Sequence, residues 1–115
     1  MKKFPIKNMK EFIAVSRTTK EISSNIKQQY ALTYEELFIL VHVHEKRLPA
    51  YNVKDIITVS KFKPYYITKA LQKLKENGYL SKKRNEQDER TVIIEISKEQ
   101  YAKIDQLFED IESKF

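Results

Sequence analysis

Residues 52–78 read NVKDIITVSKFKPYYITKALQKLKENG, two helical patterns joined by a connection of turn length. Asn52 can cap a short helix carrying Val53, Ile56, Ile57 and Val59. Ser60-Lys61-Phe62-Lys63 supplies the turn. Pro64 suits the first position of a second helix, where a missing N–H leaves no bond unmade. Ile67, Ala70, Leu71 and Leu74 fall at i, i+3, i+4 and i+7, so one face of residues 64–77 points inward. Asn77-Gly78 closes that helix, and the only glycine of the chain stands where a left-handed C-terminal cap is wanted. Residues 53–77 therefore read as a helix-turn-helix unit.

Downstream the period changes from helical to about two. Residues 79–84 and 91–96 read as strands joined by the polar connector 85–90, a hairpin spanning 79–96. Ser97 and Gln100 have capping-box spacing. Tyr101, Ile104, Leu107, Phe108, Ile111 and Phe115 then form an apolar stripe on a final helix over 98–114. Upstream, Thr33-Tyr34-Glu35-Glu36 is another capping box. It opens a helix to about Lys46 that is apolar on nearly all sides until His42 and His44, as a central buried helix is, with Pro49 ending it. From Asn8 to Tyr30 a narrow stripe of Met9, Phe12, Ile13, Ile22, Ile26 and Tyr30 is interrupted by Ser16, Thr19 and Ser23. Such a helix either lies on the domain surface or borrows a partner to bury its seam. The expectation is a mainly α (α+β) winged helix-turn-helix in the order α-α-(β)-α-α-β-β-α, forming one domain over residues 1–115.

Composition narrows the function. With 41% hydrophobic and 11% aromatic residues, the 115-residue chain is no disordered segment. The absence of cysteine excludes disulfides, cysteine-zinc sites and thiol redox switches. The longest apolar run, Leu37 to Val41, is far below the roughly 20 residues of a membrane span. The charged N-terminus lacks the apolar core of a signal peptide. A soluble, cytoplasmic protein without a membrane partner is expected. His42 and His44, at i and i+2, point to different faces of a helix, unlike the i, i+4 pair of a zinc-protease helix. No glycine-rich phosphate loop or nucleophile–base set is present, so no enzyme, cofactor or metal site is expected.

The 22 basic and 16 acidic residues are unevenly spread. Residues 1–60 carry ten basic and six acidic groups, 61–90 nine and four, and 91–115 three and six. Residues 61–75 hold five lysines and no carboxylate, as a surface facing phosphates requires. The inward stripe leaves Tyr65, Tyr66, Thr68, Lys69, Gln72, Lys73 and Glu76 on or near the outer surface, with Lys61 and Lys63 in the turn. Gln72 has the donor–acceptor pair that reads adenine. Lysines can contact guanine edges or phosphate, and tyrosines can donate to phosphate or press on thymine methyls. Lys82 and Arg84 precede the hairpin turn and Arg90 follows it; an arginine at such a tip can enter a narrow, A·T-rich minor groove. Asp88 and Glu89 support the wing by orienting those arginines, or hold a hard cation, for which two carboxylates are few. An ordinary amphipathic surface helix remains the plain alternative for residues 64–77. At the level of function, a DNA-independent interaction module of antirepressor type and a ligand-sensing regulator also stay open, although no polar cluster defines a small-molecule pocket.

Residues 62–75, FKPYYITKALQKLK, and 81–92, SKKRNEQDERTV, resemble the staphylococcal accessory regulator (Sar) family, relatives of MarR-type regulators, across essentially the whole chain. The resemblance implies a homodimeric winged-helix transcription factor on A·T-rich promoter DNA, controlling virulence and accessory genes. It implies that 64–77 enters the major groove and that 84–90 approaches the minor groove. Arg84 and Arg90 would carry important contacts, and Asp88 and Glu89 would bear on activity and divalent-cation binding. It also implies that the N-terminal helix, 8–30, contributes to dimerisation. Phe12, Ile13, Ile22, Leu107, Phe108 and Ile111 are the candidate interface residues on the first and last helices. The cysteine-based oxidation sensing of some members is closed to this chain.

Overall fold

The structure is a computed structural model and describes residues 3–84, 87 and 91–115. The chain divides into two compact units, Met1–Leu32 and Thr33–Phe115.

The first unit is built on helix α1, Met9–Tyr30. Asn8 Oδ1 accepts the Glu11 N–H at 2.8 Å, and the helix ends at Ala31 in a left-handed conformation. Its apolar stripe stays thin: Ile26 is buried, whereas Phe12 and Ile13 are 46% and 51% exposed.

The second unit contains α2 (Tyr34–Lys46), β1 (Ala50–Asn52), α3 (Val53–Ser60), α4 (Pro64–Glu76), β2 (Ser81–Arg84), β3 (Val92–Glu95) and α5 (Lys98–Glu112). Both capping boxes form. Thr33 Oγ1 accepts the Glu36 N–H while Glu36 Oε2 accepts the Thr33 N–H, and Ser97 and Gln100 repeat the exchange. Each such cap stabilises its helix by about 1 kcal/mol. Glu36 is only 1% exposed, and its Oε1 has no hydrogen-bond partner among the described residues.

The sheet has the order β1-β3-β2 and is antiparallel throughout, with Tyr51 opposite Ile94 and Lys82 opposite the same residue from the other side. A buried apolar set fills the interior: Ile39, Leu40 and Val43 of α2, Ile56 of α3, Ile67, Leu71 and Leu74 of α4, Ile94 of β3 and Ile104 of α5. The four inward residues expected of α4, Ile67, Ala70, Leu71 and Leu74, are all buried.

Three expectations need correcting. Helix α2 is not buried all round, because Val41 is exposed and Leu37 and Phe38 are half-buried. Its helical run does stop at Lys46, as expected, where Arg47 takes a left-handed φ of 56° and donates its N–H to Val43 O at 2.8 Å. The strand expected over 79–84 begins only at Ser81, since Tyr79 is engaged by the helix end: its N–H bonds Leu74 O while Gly78 N–H bonds Lys75 O. That pairing, with Gly78 at φ 81°, is a Schellman cap. The final helix stops at Glu112 rather than 114, as the Lys114 N–H turns back to Ile111 O in a tighter closing turn.

The end of α4 is also held from outside. Lys103 of α5 donates from Nζ to Asn77 O and lies 4.5 Å from the Tyr79 ring centre, and Gln100 Nε2 reaches Gly78 O and Ser81 Oγ at 3.4 Å.

Candidate nucleic-acid interface

The turn before α4 is tied locally. Ser60, buried, donates from Oγ to Ile57 O at 2.9 Å and accepts the Phe62 N–H at 3.1 Å. Lys61 takes a left-handed φ of 61°, with its N–H on Ile57 O at 3.2 Å. The Phe62 ring meets Tyr34 and Phe38 edge-on, at centroid distances of 5.9 and 5.6 Å. These contacts fix the angle at which α4 leaves α3. By spacing alone, Ser60 and Phe62 are only parts of a short connection. A serine two residues before an aromatic in a turn was the available signal.

Lys63 precedes α4 with extended backbone and no side-chain cap, and Pro64 opens the helix. Over the next turns Tyr65, Tyr66, Thr68, Lys69, Gln72 and Lys73 are all exposed, as are Lys61 and Lys63 in the turn. The Tyr65 and Tyr66 rings sit edge-to-face at 5.6 Å. Lys61, Lys63, Lys69 and Lys73 make no ion pair among the described residues. The sequence offers no carboxylate on α4 before Glu76. Positive potential on this face is therefore not neutralised by the helix that displays it.

Strand β2 brings Lys82, Lys83 and Arg84 to the same part of the unit. Lys83 and Arg84 are exposed, and Lys82 is half-buried. Lys82 Nζ donates to Gln72 Oε1 at 2.8 Å, and Gln72 Nε2 donates to Glu76 Oε1 at 3.2 Å. Burial first, and then repulsion from Lys75, holds the Lys82 ammonium below the usual lysine range, with Glu76 opposing. The structure thus joins two expected site residues, Gln72 and Lys82, through a bond that residue spacing did not indicate. Asp88, Glu89 and Arg90 lie outside the described residues.

A second polar cluster fastens α5 to the end of α2. The Arg47 guanidinium makes two bonds to the Asp105 carboxylate, at 2.6 and 2.9 Å, and lies 4.8 Å from the Tyr101 ring centre. His44 Nε2 is 3.3 Å from Asp105 Oδ1, with its ring against Phe108. The Arg47 hydrogen bond, with further attraction from Arg47 and His44, holds the Asp105 carboxyl below its ordinary range against the opposing effect of burial. Beneath it, Tyr101 donates to Leu48 O and its hydroxyl lies 2.6 Å from that of Tyr51, which accepts the Leu48 N–H at 2.9 Å. With the Tyr101 proton on a carbonyl, the Tyr51 hydroxyl has two acceptors within reach, Tyr101 Oη at 2.6 Å and Val43 O at 3.3 Å. Burial, then the Tyr51 bond, pushes the Tyr101 phenol well above its ordinary range. The two histidines do face apart, for His42 is half-buried beside Tyr51, and burial holds its imidazole below the usual range.

Of the candidate interface residues, Leu107 and Ile111 are already buried in the single chain, Ile22 and Phe108 are half-buried, and Phe12 and Ile13 are exposed. Among the described residues, no group of three His, Asp or Glu side chains is placed to hold a metal. No helix among them is long and apolar enough to cross a membrane.

Residues 21–107 match the family model described as transcriptional regulator SarA/Rot. The chain is 40% identical over 107 residues to the HTH-type transcriptional regulator SarR of Staphylococcus aureus (strain USA300), covering 93% of each protein. It is 32% identical over 104 residues to the transcriptional regulator SarA of Staphylococcus aureus (strain Newman), covering 90% of this chain and 84% of that one. Among solved structures it resembles overoxidized AbfR bound to DNA, with a TM-score of 0.73 at 21% identity over 90% of this chain and 74% of that one. It also resembles MarR, with a TM-score of 0.70 at 19% identity over 91% and 75%. These two likenesses establish the winged-helix fold.

Proposed function

Since the chain belongs to the SarA/Rot family of transcriptional regulators, we propose that it acts by gripping duplex DNA as a homodimer, with α4 in the major groove and the β2–β3 wing at the minor groove. The observation that carries this reading is the exposed face formed by Lys61, Lys63, Lys69 and Lys73, unpaired among the described residues and free of carboxylates until Glu76. Phosphates are the partner for which such a face is suited. Arg84 on β2 extends it into the wing; from the sequence alone, Arg90 is the second arginine assigned to DNA and Asp88 and Glu89 its support, all three lying outside the described residues. With arginines entering a narrow groove, the preferred sites are A·T-rich promoters. The genes controlled are virulence and accessory genes, in keeping with the family, and the protein works in the cytoplasm without a small-molecule ligand.

The candidate dimer residues are, in the first unit, Phe12 and Ile13, which are exposed, and half-buried Ile22, and, taken separately in the second unit, half-buried Phe108 with Leu107 and Ile111, which the single chain already buries. A twofold pair presents its α4 helices to half-sites one or more helical turns apart. Anisotropy titration of labelled duplex against salt tests the central claim. Log affinity should fall by about 0.9 per neutralised phosphate for each unit of log salt. A flat response, or no binding at low salt, would leave an interaction module as the better account. Sedimentation as a monomer at micromolar concentration would end the dimer proposal, and selection of bound genomic fragments reads the sequence preference.

A further inference from the structure

Gln72 sits on the outer face of α4, and its carboxamide is gripped at both ends, by Lys82 Nζ on the oxygen at 2.8 Å and by Glu76 Oε1 on the nitrogen at 3.2 Å. This fixes which end is which. A flipped amide would turn its NH2 toward an ammonium and its oxygen toward a carboxylate, exchanging two charge-assisted bonds for two repulsions. A carboxamide has two acceptor lone pairs and two N–H donors. Each anchor uses one, so one lone pair and one N–H remain on an exposed side chain. The edge of adenine in the major groove offers an N6–H donor beside the N7 acceptor, whereas guanine offers two acceptors.

We infer that Lys82 and Glu76 are positioning residues for sequence reading, holding the Gln72 carboxamide as a preset acceptor–donor pair for the major-groove edge of adenine. This rests on the reading of α4 as the major-groove helix. Presetting matters because a free glutamine must order several torsions when it meets a base, and the anchors have ordered them already. It also assigns a task to the one carboxylate of α4, which otherwise only opposes phosphate binding. The wing thereby helps decide which base pair the helix accepts, through a strand lysine that need not touch that base.

The two anchors have opposite charge, and this separates positioning from general electrostatics. Anisotropy titrations would use the full chain and a duplex it selects from a random pool, with each A·T pair replaced in turn by G·C. At one position per half-site the parent should discriminate roughly tenfold, within the range of a good bidentate contact, and Gln72→Ala should abolish this. Lys82→Met should weaken binding to every duplex and Glu76→Ala should strengthen it, yet both should cut discrimination at that position to about threefold or less. Lys82→Arg should restore it, and Gln72→Ala/Lys82→Met should discriminate no worse than Gln72→Ala alone, since the two residues act as one unit. Melting temperatures near the parent's would show that folding is intact; Glu76→Ala keeps the test alive should Lys82→Met fold poorly. Unchanged discrimination in both anchor variants, with affinity moving only as charge dictates, would overturn the proposal. A parent that binds no duplex at low salt would bring down the DNA-binding reading itself, a failure visible before any substitution is made.

Discussion

The outer face of α4 and the seam between α2 and α5 handle charge in opposite ways. At the seam Arg47, His44 and Asp105 converge on one another over a pair of hydrogen-bonded tyrosines, Tyr51 and Tyr101. On α4 the lysines are exposed and unpaired among the described residues. Paired charges with satisfied hydroxyls fix one helix against another, whereas unpaired cations are available to something outside the chain. Lys82 stands between these styles, half-buried and bonded but within the cationic region. On the proposed reading of α4 as the DNA-facing helix, folding and recognition fall to separate residues, so substitutions should divide cleanly between them.

The largest effect should come from the interior beneath the cationic face. Leu71→Ala removes a side chain that is 1% exposed and should cost about 2–5 kcal/mol in denaturant unfolding. A smaller loss would mean that α4 is mounted less firmly than its packing indicates.

At the seam, Tyr101→Phe strands the Leu48 carbonyl and should cost about 1–3 kcal/mol. Its pH dependence sharpens the point. The folded phenol titrates above its unfolded value of 10.0, so its contribution is complete below that pH and drains away as pH rises beyond it. Melting followed from pH 8 to 11 should show this alkaline decline in the parent and a flatter limb in Tyr101→Phe. Asp105 gives the mirror image: a depressed folded pKa means stabilisation present above the unfolded value near 3.8 and lost as pH falls through the folded one. Asp105→Asn should lower the melting temperature slightly at pH 7 and flatten the acid limb. The smallest folding effect should belong to Lys69→Ala and Lys73→Ala, within about 0.5 kcal/mol each. Together they should nevertheless reduce the salt slope of DNA binding by about 1.8. Were the lysine pair to alter stability as much as Tyr101→Phe, the division between the regions would collapse.

Much of the frame was legible because it is written in short-range chemistry. Thr33 with Glu36, Ser97 with Gln100, Pro64 and Gly78 each act within a few residues, and each marks the boundary expected of it. Contacts between segments distant in the chain were not legible. A strand between α2 and α3 belongs to the expected order, but with three residues β1 carries no alternation of its own, and its pairing of Ala50, Tyr51 and Asn52 with Glu95, Ile94 and Ile93 could not be read from spacing. The Tyr51–Tyr101 bond spans fifty residues and the Lys82–Gln72 bond ten. Periodicity placed Leu107 and Ile111 with Phe108 on one stripe, but could not tell which positions the chain covers for itself. The outward residues of α4 were legible for the opposite reason, since a helix with four buried positions leaves the rest outside.

The way α5 holds the far end of α4 bears on how this protein can change its target. Lys103 and Gln100 take hold of main-chain oxygens, those of Asn77 and Gly78, rather than of any side chain that α4 displays. Such a mount is blind to the letters on the helix it carries. If α4 reads DNA as proposed, new preferences can accumulate at positions 65, 66, 68 and 69 without matching revisions in α5. Gly78 has no such latitude: a Cβ there would stand 3.1 Å from the Lys103 ammonium, on a backbone already at φ 81°.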